Sequence, residues 1–554
     1  MNKTKSLQAS QTILTKVEDW CQKHQLAIIS SILGIFTLFS LLLFNLRVSE
    51  GGDDSTYIIR AVNFINDGSY PSFQGPLYPM FLSIFVALFG IKLGLLKITS
   101  FALMLISMWL FYKTFKDKIA YTLLFATLLM ISVSSYFIYF TSQTYSEALF
   151  LLLQVPVFTL VYELLNTEKD TNKLKYIIAL SAVILASFLT RTIGIGTLIA
   201  VILFFIINKQ YKNAGLVAGC FIIMLGLFLI IKSAIWQTAL FDSGQASTLI
   251  YKHPYQLDKG KETIGGFITR FIDNSNLYLS KHFLKMTGWR SLSTNATISL
   301  LTILIYALFG FSTVRAFKNN KHLLFVAVYL VTMLGITFIV LQKLWDQYRL
   351  IIPFFPFMVL ILLYGVLEFS RNKKSKLQQY LFIILVGISV VSTTAQSLSK
   401  IDLLTLRKNL KGDVYEGYTD DWRNYLSMAE FAGEELPENT MVAVRKPNMA
   451  RIYANGKKFY GIYRFDTTDP DQLLQRLKER EVTHVIMASL RKNPLVNNGQ
   501  TINTIQRYLY IISQKYPTAF KFQKQIGTVE PAYLFLVDYD AAAITKDTTN
   551  QETK

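Results

Sequence analysis

The hydrophobic pattern of this chain is one of long apolar runs separated by short polar segments. Runs of about 20 residues, enough for a helix to cross a hydrocarbon core, begin near Leu26, Leu95, Ile119, Glu147, Tyr176, Gly194, Ala214, Thr297, Leu323, Leu350 and Leu377. The pattern predicts a mainly α polytopic membrane protein with about eleven transmembrane helices between residues 26 and 399. The first run, Leu26 to Leu46, exceeds a signal-peptide core and lacks a small-residue cleavage pattern, so it reads as a retained span after a cytoplasmic segment, 1–25. Pro76 to Gly90 is apolar but short and bounded by Pro, and as a crossing it would reverse the loop charges. It is expected to form an interfacial or re-entrant helix inside an outward loop, 47–94.

From Lys400 the pattern changes. Met441 to Val444 and His484 to Met487 read as buried strands, and Asp471 to Arg480 has helical spacing. This predicts an extracytoplasmic α/β domain over 400–540, followed by a polar, disordered tail, 541–554.

Charge fixes the expected orientation. Of 56 Lys and Arg and 36 Asp and Glu, the segment from Lys400 onward holds 22 and 19, so +17 of the net +20 lies in the apolar part. There the basic residues cluster in alternate loops: Lys3 to Lys23, Lys113 to Lys118, Lys169 to Lys175, Lys209 and Lys212, Arg315 to Lys321, and Arg371 to Lys376. The positive-inside rule makes these loops cytoplasmic and, with an odd number of spans, places the C-terminal domain outside. The charge is thus a topology signal and not a nucleic-acid footprint. This layout fits a bacterial inner (plasma) membrane with a periplasmic C-terminal domain. Two cysteines, Cys21 and Cys220, make no disulfide framework or metal cluster. His253, His282 and His484 lack metal-ligand spacing and read as ordinary loop or surface residues. Arg445-Lys446-Pro447 reads as a solvated strand end. No Walker loop or dinucleotide fingerprint occurs, so no nucleotide-driven pump or nucleotide-sugar enzyme is supported.

Candidate chemistry concentrates in the first outward loop, Gly51-Gly52-Asp53-Asp54-Ser55-Thr56-Tyr57, then Gly68-Ser69-Tyr70-Pro71 and Gly75-Pro76-Leu77-Tyr78-Pro79. Adjacent carboxylates can bind a cation or deprotonate a hydroxyl; equally, Asp54 or Ser55 can cap a helix. Glu147 opens the fourth run, where a carboxylate is costly unless paired or solvated, or unless it faces a helix N-terminus. Arg191 stands between two apolar runs and Arg349 begins the tenth. Their planar donors suit a phosphate, the alternative being interfacial anchoring.

Asp-Asp-x-x-Tyr after the first span, Gly-x-Tyr-Pro and Pro-x-Tyr-Pro together resemble the polytopic GT-C glycosyltransferases, the protein O-mannosyltransferase and aminoarabinose transferase branch (glycosyltransferase families 39 and 83) in particular. The resemblance covers about Leu26 to Ser399 and departs at Asp54, where the family often has Glu. It implies catalysis by Asp53 and Asp54 with a polyprenyl-phosphate-linked sugar donor on the extracytoplasmic face. It further implies donor-phosphate binding by Arg191 and Arg349, with Glu147, Tyr57 and Tyr78 orienting the acceptor or a metal. A divalent cation, Mg or Mn, would be held by Asp53, Asp54 and Glu147. Acceptors of this chemistry include glycans, lipids and proteins. A secondary transporter or a nonenzymatic envelope assembly protein is the alternative reading.

Overall fold

The computed structural model describes residues 13–72, 74–166, 170–239, 247–371, 376–494 and 499–540; the tail expected to be disordered lies outside them. The protein is mainly helical and multi-pass. All eleven apolar runs are helical, in three forms. Among the described residues, nine helices are long and apolar enough to cross a membrane, one bent pair passes only when taken together, and one run forms a short helix, Thr192–Ile207. The departure from eleven straight spans has two local causes. In the bent pair, Tyr121–Ser132 and Ser135–Ser142 meet at 64°. Two backbone groups freed at the break are taken up by one serine: Ser397 Oγ donates to the Val133 carbonyl at 2.6 Å and accepts from Ser135 N at 2.9 Å. Such recapture is what an apolar medium demands of any interrupted helix. The second cause is Arg191, whose extended backbone (φ −147°, ψ 133°) ends the helix Asp170–Thr190 before the short helix begins.

Chain segments from Met1–Phe44, Gly68–Phe81 and Lys97–Asp402 form one compact unit, and those from Asn45–Asp67, Leu82–Leu96 and Leu403–Lys554 form another. In the first unit the helix Tyr348–Arg371 is central, 94% of its apolar window being buried, whereas Tyr211–Trp236 is peripheral at 17%. Ile222, Ile223, Ile230, Ile231 and Ile235 lie on the exposed surface of the latter. A soluble protein rarely displays so long an apolar face, so it is the face that meets lipid. The short Pro-bounded segment is a 13-residue helix, Leu77–Phe89, about 20 Å long at 1.5 Å per residue and too short to cross.

The second unit carries a five-stranded mixed sheet in the order β2-β1-β3-β7-β6, where β1 is Met441–Val444, β2 Phe459–Gly461, β3 Val482–Ala488, β6 Phe520–Ile526 and β7 Ala532–Val537. β1 pairs in parallel with β2 and β3, and β7 runs antiparallel to β3 and β6. A two-stranded ribbon pairs β4 (Leu490–Arg491) with β5 (Thr501–Ile502). The helices Pro470–Glu479 and Thr504–Lys515 contribute Leu473, Leu477, Leu509 and Ile512 to a core shared with Ala443 and Val485 of the sheet. The helix Asp53–Asn66 from the first loop belongs to this unit and packs on the helix Pro447–Tyr453.

Candidate functional site

In the acidic loop, Gly52 adopts a left-handed conformation (φ 89°) that a side chain would strain, and it starts the helix Asp53–Asn66. Its carbonyl accepts hydrogen bonds from Ser55 Oγ at 2.8 Å and Thr56 Oγ1 at 2.7 Å. Asp53 and Asp54 occupy the first helical turn, where negative charge is favoured. The two carboxylates then diverge. Asp54 is fully buried, accepting from Ser49 N at 2.7 Å and Ser55 N at 2.8 Å; the cap position itself is Gly52, with no side-chain cap bond, so neither Asp54 nor Ser55 is the N-cap that the sequence left open. Asp53 is only half-buried.

Around this turn the C-terminal unit supplies cations that the sequence did not single out for the site. Lys446 reaches back to the Glu50 carbonyl at 2.8 Å. Burial and the neighbouring Arg445 pull its ammonium below the ordinary lysine range, against the opposing pull of Asp53, Glu50 and Asp54. Lys446 is therefore a partner of the acidic loop and not the solvated strand end expected from sequence. Asn448 Nδ2 donates to Thr56 Oγ1 at 3.1 Å, and the buried Arg451 donates to Asn63 Oδ1 at 2.7 Å. Burial also lowers Arg60, partly offset by the charges of Tyr57 and Asp53. Tyr418 closes the start of the loop, its hydroxyl accepting from Val48 N at 2.7 Å and donating to the Val48 carbonyl at 2.8 Å.

The membrane unit holds a second constellation. Glu147, in the first turn of the helix Ser146–Asn166, is fully buried. Its Oε1 receives Arg191 Nη1 at 2.6 Å and Arg349 Nε at 2.5 Å. The arginine side chains keep 18% and 14% of their surface exposed, so they are sheltered without being sealed. Arg349 also stacks its guanidinium 4.2 Å above the Tyr145 ring, and Arg191 donates to Ser146 Oγ at 3.3 Å. Two guanidinium groups converge on this one carboxylate oxygen. This is a setting for an anion, and the planar donors match phosphate oxygens.

The loop glycine Gly75 explains how this corner is built. A Cβ there would come within 2.3 Å of the Thr190 carbonyl, so only glycine lets the Gly75-Pro76 segment lie against the residue preceding Arg191. Tyr78, in the same unit, and Tyr57, in the other, are both buried. Of the sequence-derived candidates, then, the structure joins Glu147 to Arg191 and Arg349, and Asp53 to Asp54.

No protein-family model matches the sequence, and no curated protein matches it. Solved structures do. The oligosaccharyltransferase of Archaeoglobus fulgidus, tethered to an acceptor peptide, aligns over 94% of this chain and 75% of its own with 13% identity and a TM-score of 0.53. ArnT from Cupriavidus metallidurans, bound to undecaprenyl phosphate, aligns over 93% of this chain and 98% of its own with 11% identity and a TM-score of 0.52. The fold is that of the GT-C class. At these identities the likeness is one of architecture, and it spans both units of the chain.

A GT-C fold raises the question of a divalent cation. Both Asp54 oxygens already accept backbone N–H groups, and Glu147 faces two guanidinium groups that would repel a metal ion. Among the described residues, no three acidic, histidine or cysteine side chains gather closely enough to hold one. The residues expected to share a metal do not fit that task, and no step is routed through one.

Proposed function

We propose that this protein is a membrane glycosyltransferase that moves a monosaccharide, a hexose or pentose, from a polyprenyl-phosphate donor to an acceptor hydroxyl. The observation that carries the reading is the sheltered pair Arg191 and Arg349, both held on Glu147, in a fold shared with a structure that binds undecaprenyl phosphate. The acceptor, whether glycan, lipid or protein, sits on the extracytoplasmic face, with the chain in a bacterial inner membrane, its N-terminus cytoplasmic and its C-terminal domain periplasmic.

In this mechanism Asp53 is the general base: it is the half-buried carboxylate of the pair, whereas Asp54 is fully buried and bonded to the backbone of the loop. It takes the proton of the acceptor hydroxyl. The hydroxyl oxygen then bonds to the anomeric carbon as the bond from that carbon to the phosphate oxygen breaks, its electron pair leaving on the polyprenyl phosphate. Attack and departure on opposite faces invert the anomeric configuration. Arg191 and Arg349 stabilise the charge growing on the departing phosphate, an interaction stronger in the transition state than in the ground state. Glu147 is a positioning residue that keeps two like charges side by side, and Asp54 fixes the turn that presents Asp53.

The test is transfer of radiolabelled sugar from polyprenyl-phosphate donors by purified protein, comparing wild type with Asp53→Asn. Loss of a general base lowers the rate by about 10²–10⁴-fold with an unchanged melting profile. Equal rates would remove Asp53 from the reaction. A wild type inactive across a broad donor and acceptor panel would favour a transporter or an assembly protein.

A further inference from the structure

A second group of cations lies beside the first and takes no part in the mechanism above. The helical run from Ile264 to Met286 widens into a π-helix over Asn276–Phe283, a form that recurs at functional sites. The widened turn brings two consecutive side chains to one carboxylate: Lys281 Nζ lies 2.5 Å from Asp346 Oδ2, and His282 Nε2 lies 2.6 Å from Asp346 Oδ1. Lys285, one turn further on, is buried and donates to the Leu292 carbonyl at 2.8 Å. Lys400, just beyond the last long helix, holds its ammonium 4.0 Å over the ring of Tyr136. Lys281 and Lys285 are buried, Lys400 lies exposed beside them, and Asp346, which faces Lys281, is half-exposed, so among these described residues the cluster has an excess of positive charge, part of it buried. Buried charge of one sign is unfavourable unless a counter-charge joins it.

The position of this cluster gives it meaning. Asp346 and Arg349 are three residues apart, so their Cα atoms lie within about 11 Å of each other. Between them, Tyr348 packs edge-on against Tyr136 at 4.7 Å and faces His282 at 6.4 Å. One short segment thus touches both cation groups, Arg349 entering the pair on Glu147 and Asp346 entering the lysine cluster.

We propose that Lys281, Lys285 and Lys400 form a second phosphoryl-binding subsite adjacent to Arg191 and Arg349, so that the protein engages two phosphoryl groups at once. The inference rests on the reading of Arg191 and Arg349 as the first phosphate site. The second phosphoryl comes either from a diphosphate-linked donor or from the headgroup of an anionic phospholipid bound alongside a monophosphate.

Native mass spectrometry of the full chain in phosphatidylcholine nanodiscs separates these sources, with undecaprenyl phosphate, undecaprenyl diphosphate and phosphatidylglycerol as probes. For a diphosphate, wild type binds undecaprenyl diphosphate about tenfold or more tighter than the monophosphate, the effect of one charge-assisted hydrogen bond, and Lys281→Gln/Lys285→Gln abolishes the preference. For a separate lipid, wild type binds both polyprenyl lipids equally, and the double variant loses only phosphatidylglycerol. Lys281→Arg/Lys285→Arg retains binding in either case. Should the neutral double variant not fold, the exposed Lys400→Gln shows the same change in smaller degree. The proposal is overturned if the neutral variants bind all three probes as wild type does, or if wild type shows neither the diphosphate preference nor phosphatidylglycerol binding. Undecaprenyl phosphate failing to bind any form, with phosphatidylglycerol still lost in the double variant, would sink the Arg191 and Arg349 reading and with it the engagement of two phosphoryl groups at once, while upholding phosphoryl binding at the lysines.

Discussion

Replacing Glu147 with Gln keeps the shape of the side chain and removes its charge, which isolates what the carboxylate does for the two arginines. Both guanidinium groups bond the same oxygen, at 2.6 and 2.5 Å, so the bonding nitrogens are no more than about 5 Å apart, and two unit charges at that separation repel by ~3 kcal/mol at an effective dielectric constant near 20. Removing one partner of a buried ion pair costs ~3–5 kcal/mol. Because Arg191 and Arg349 retain some exposure to water, the lower end applies, and Glu147→Gln is expected to lose about 3 kcal/mol. The same change raises the local charge by one unit, so a bound anion restores more stability to the variant than to wild type. A ligand at 100 times its dissociation constant contributes about 2.7 kcal/mol, enough to recover most of the loss. Thermal unfolding in detergent, with and without undecaprenyl phosphate, measures both effects. If Glu147→Gln melts with wild type in the absence of lipid, or if the lipid raises both proteins equally, the carboxylate does not hold the arginines as argued.

Three further outcomes follow from the geometry. Asp54→Ala leaves the backbone N–H groups of Ser49 and Ser55 without their acceptor, a loss of ~1–3 kcal/mol each at most, and should expose the first loop to limited proteolysis while Asp53→Asn does not. Gly75→Ala forces a methyl group into the Thr190 backbone, costing ~1–3 kcal/mol; binding of undecaprenyl phosphate should weaken with it, because Arg191 is the next residue. Burial lowers His282 from 6.5 to about 4, opposed by Asp346 and aided by Lys281 and Lys285. The folded state therefore binds fewer protons than the unfolded state between these values, and stability falls as pH drops from 6.5 towards 4, by up to roughly 3 kcal/mol. His282→Gln should flatten that part of a melting-temperature profile against pH, and an unchanged profile would refute the assignment.

What the sequence disclosed was what lies within one helix or strand of itself. Apolar length alone located eleven helical runs, nine of them long enough to cross a membrane singly, and the doublet at Asp53 with its glycines marked a helix start. β1, the centre of β3 and the helix Pro470–Glu479 were readable from short apolar runs and helical spacing. Pairings across the chain were not readable. Glu147 meets Arg349 across 202 positions and His282 meets Asp346 across 64, and no local pattern distinguishes such residues from interfacial anchors or loop histidines. Hence His282, expected to be an ordinary loop or surface residue, turns out to be buried and paired. The break at Ser134 escaped for a related reason: the serine that mends it, Ser397, lies more than 260 residues away.

The helix that carries Asp53 is braced by residues made last. Leu46 N donates to Asn409 Oδ1, Arg47 to the Gly417 carbonyl, and Lys446 reaches Glu50, separations of 363, 370 and 396 positions. During synthesis the acidic turn emerges early and waits, without these partners, while every later helix is inserted. Its final geometry is reached only after the segment through Arg451 has left the ribosome. A chain cut short between Leu398 and Arg451 would hold the apolar helices described above and its complete acidic motif, yet lack one or more of the contacts that fix the motif in place. The acidic turn is thus a late-assembled feature of an early segment, its bracing residues lying 363 to 396 positions further on.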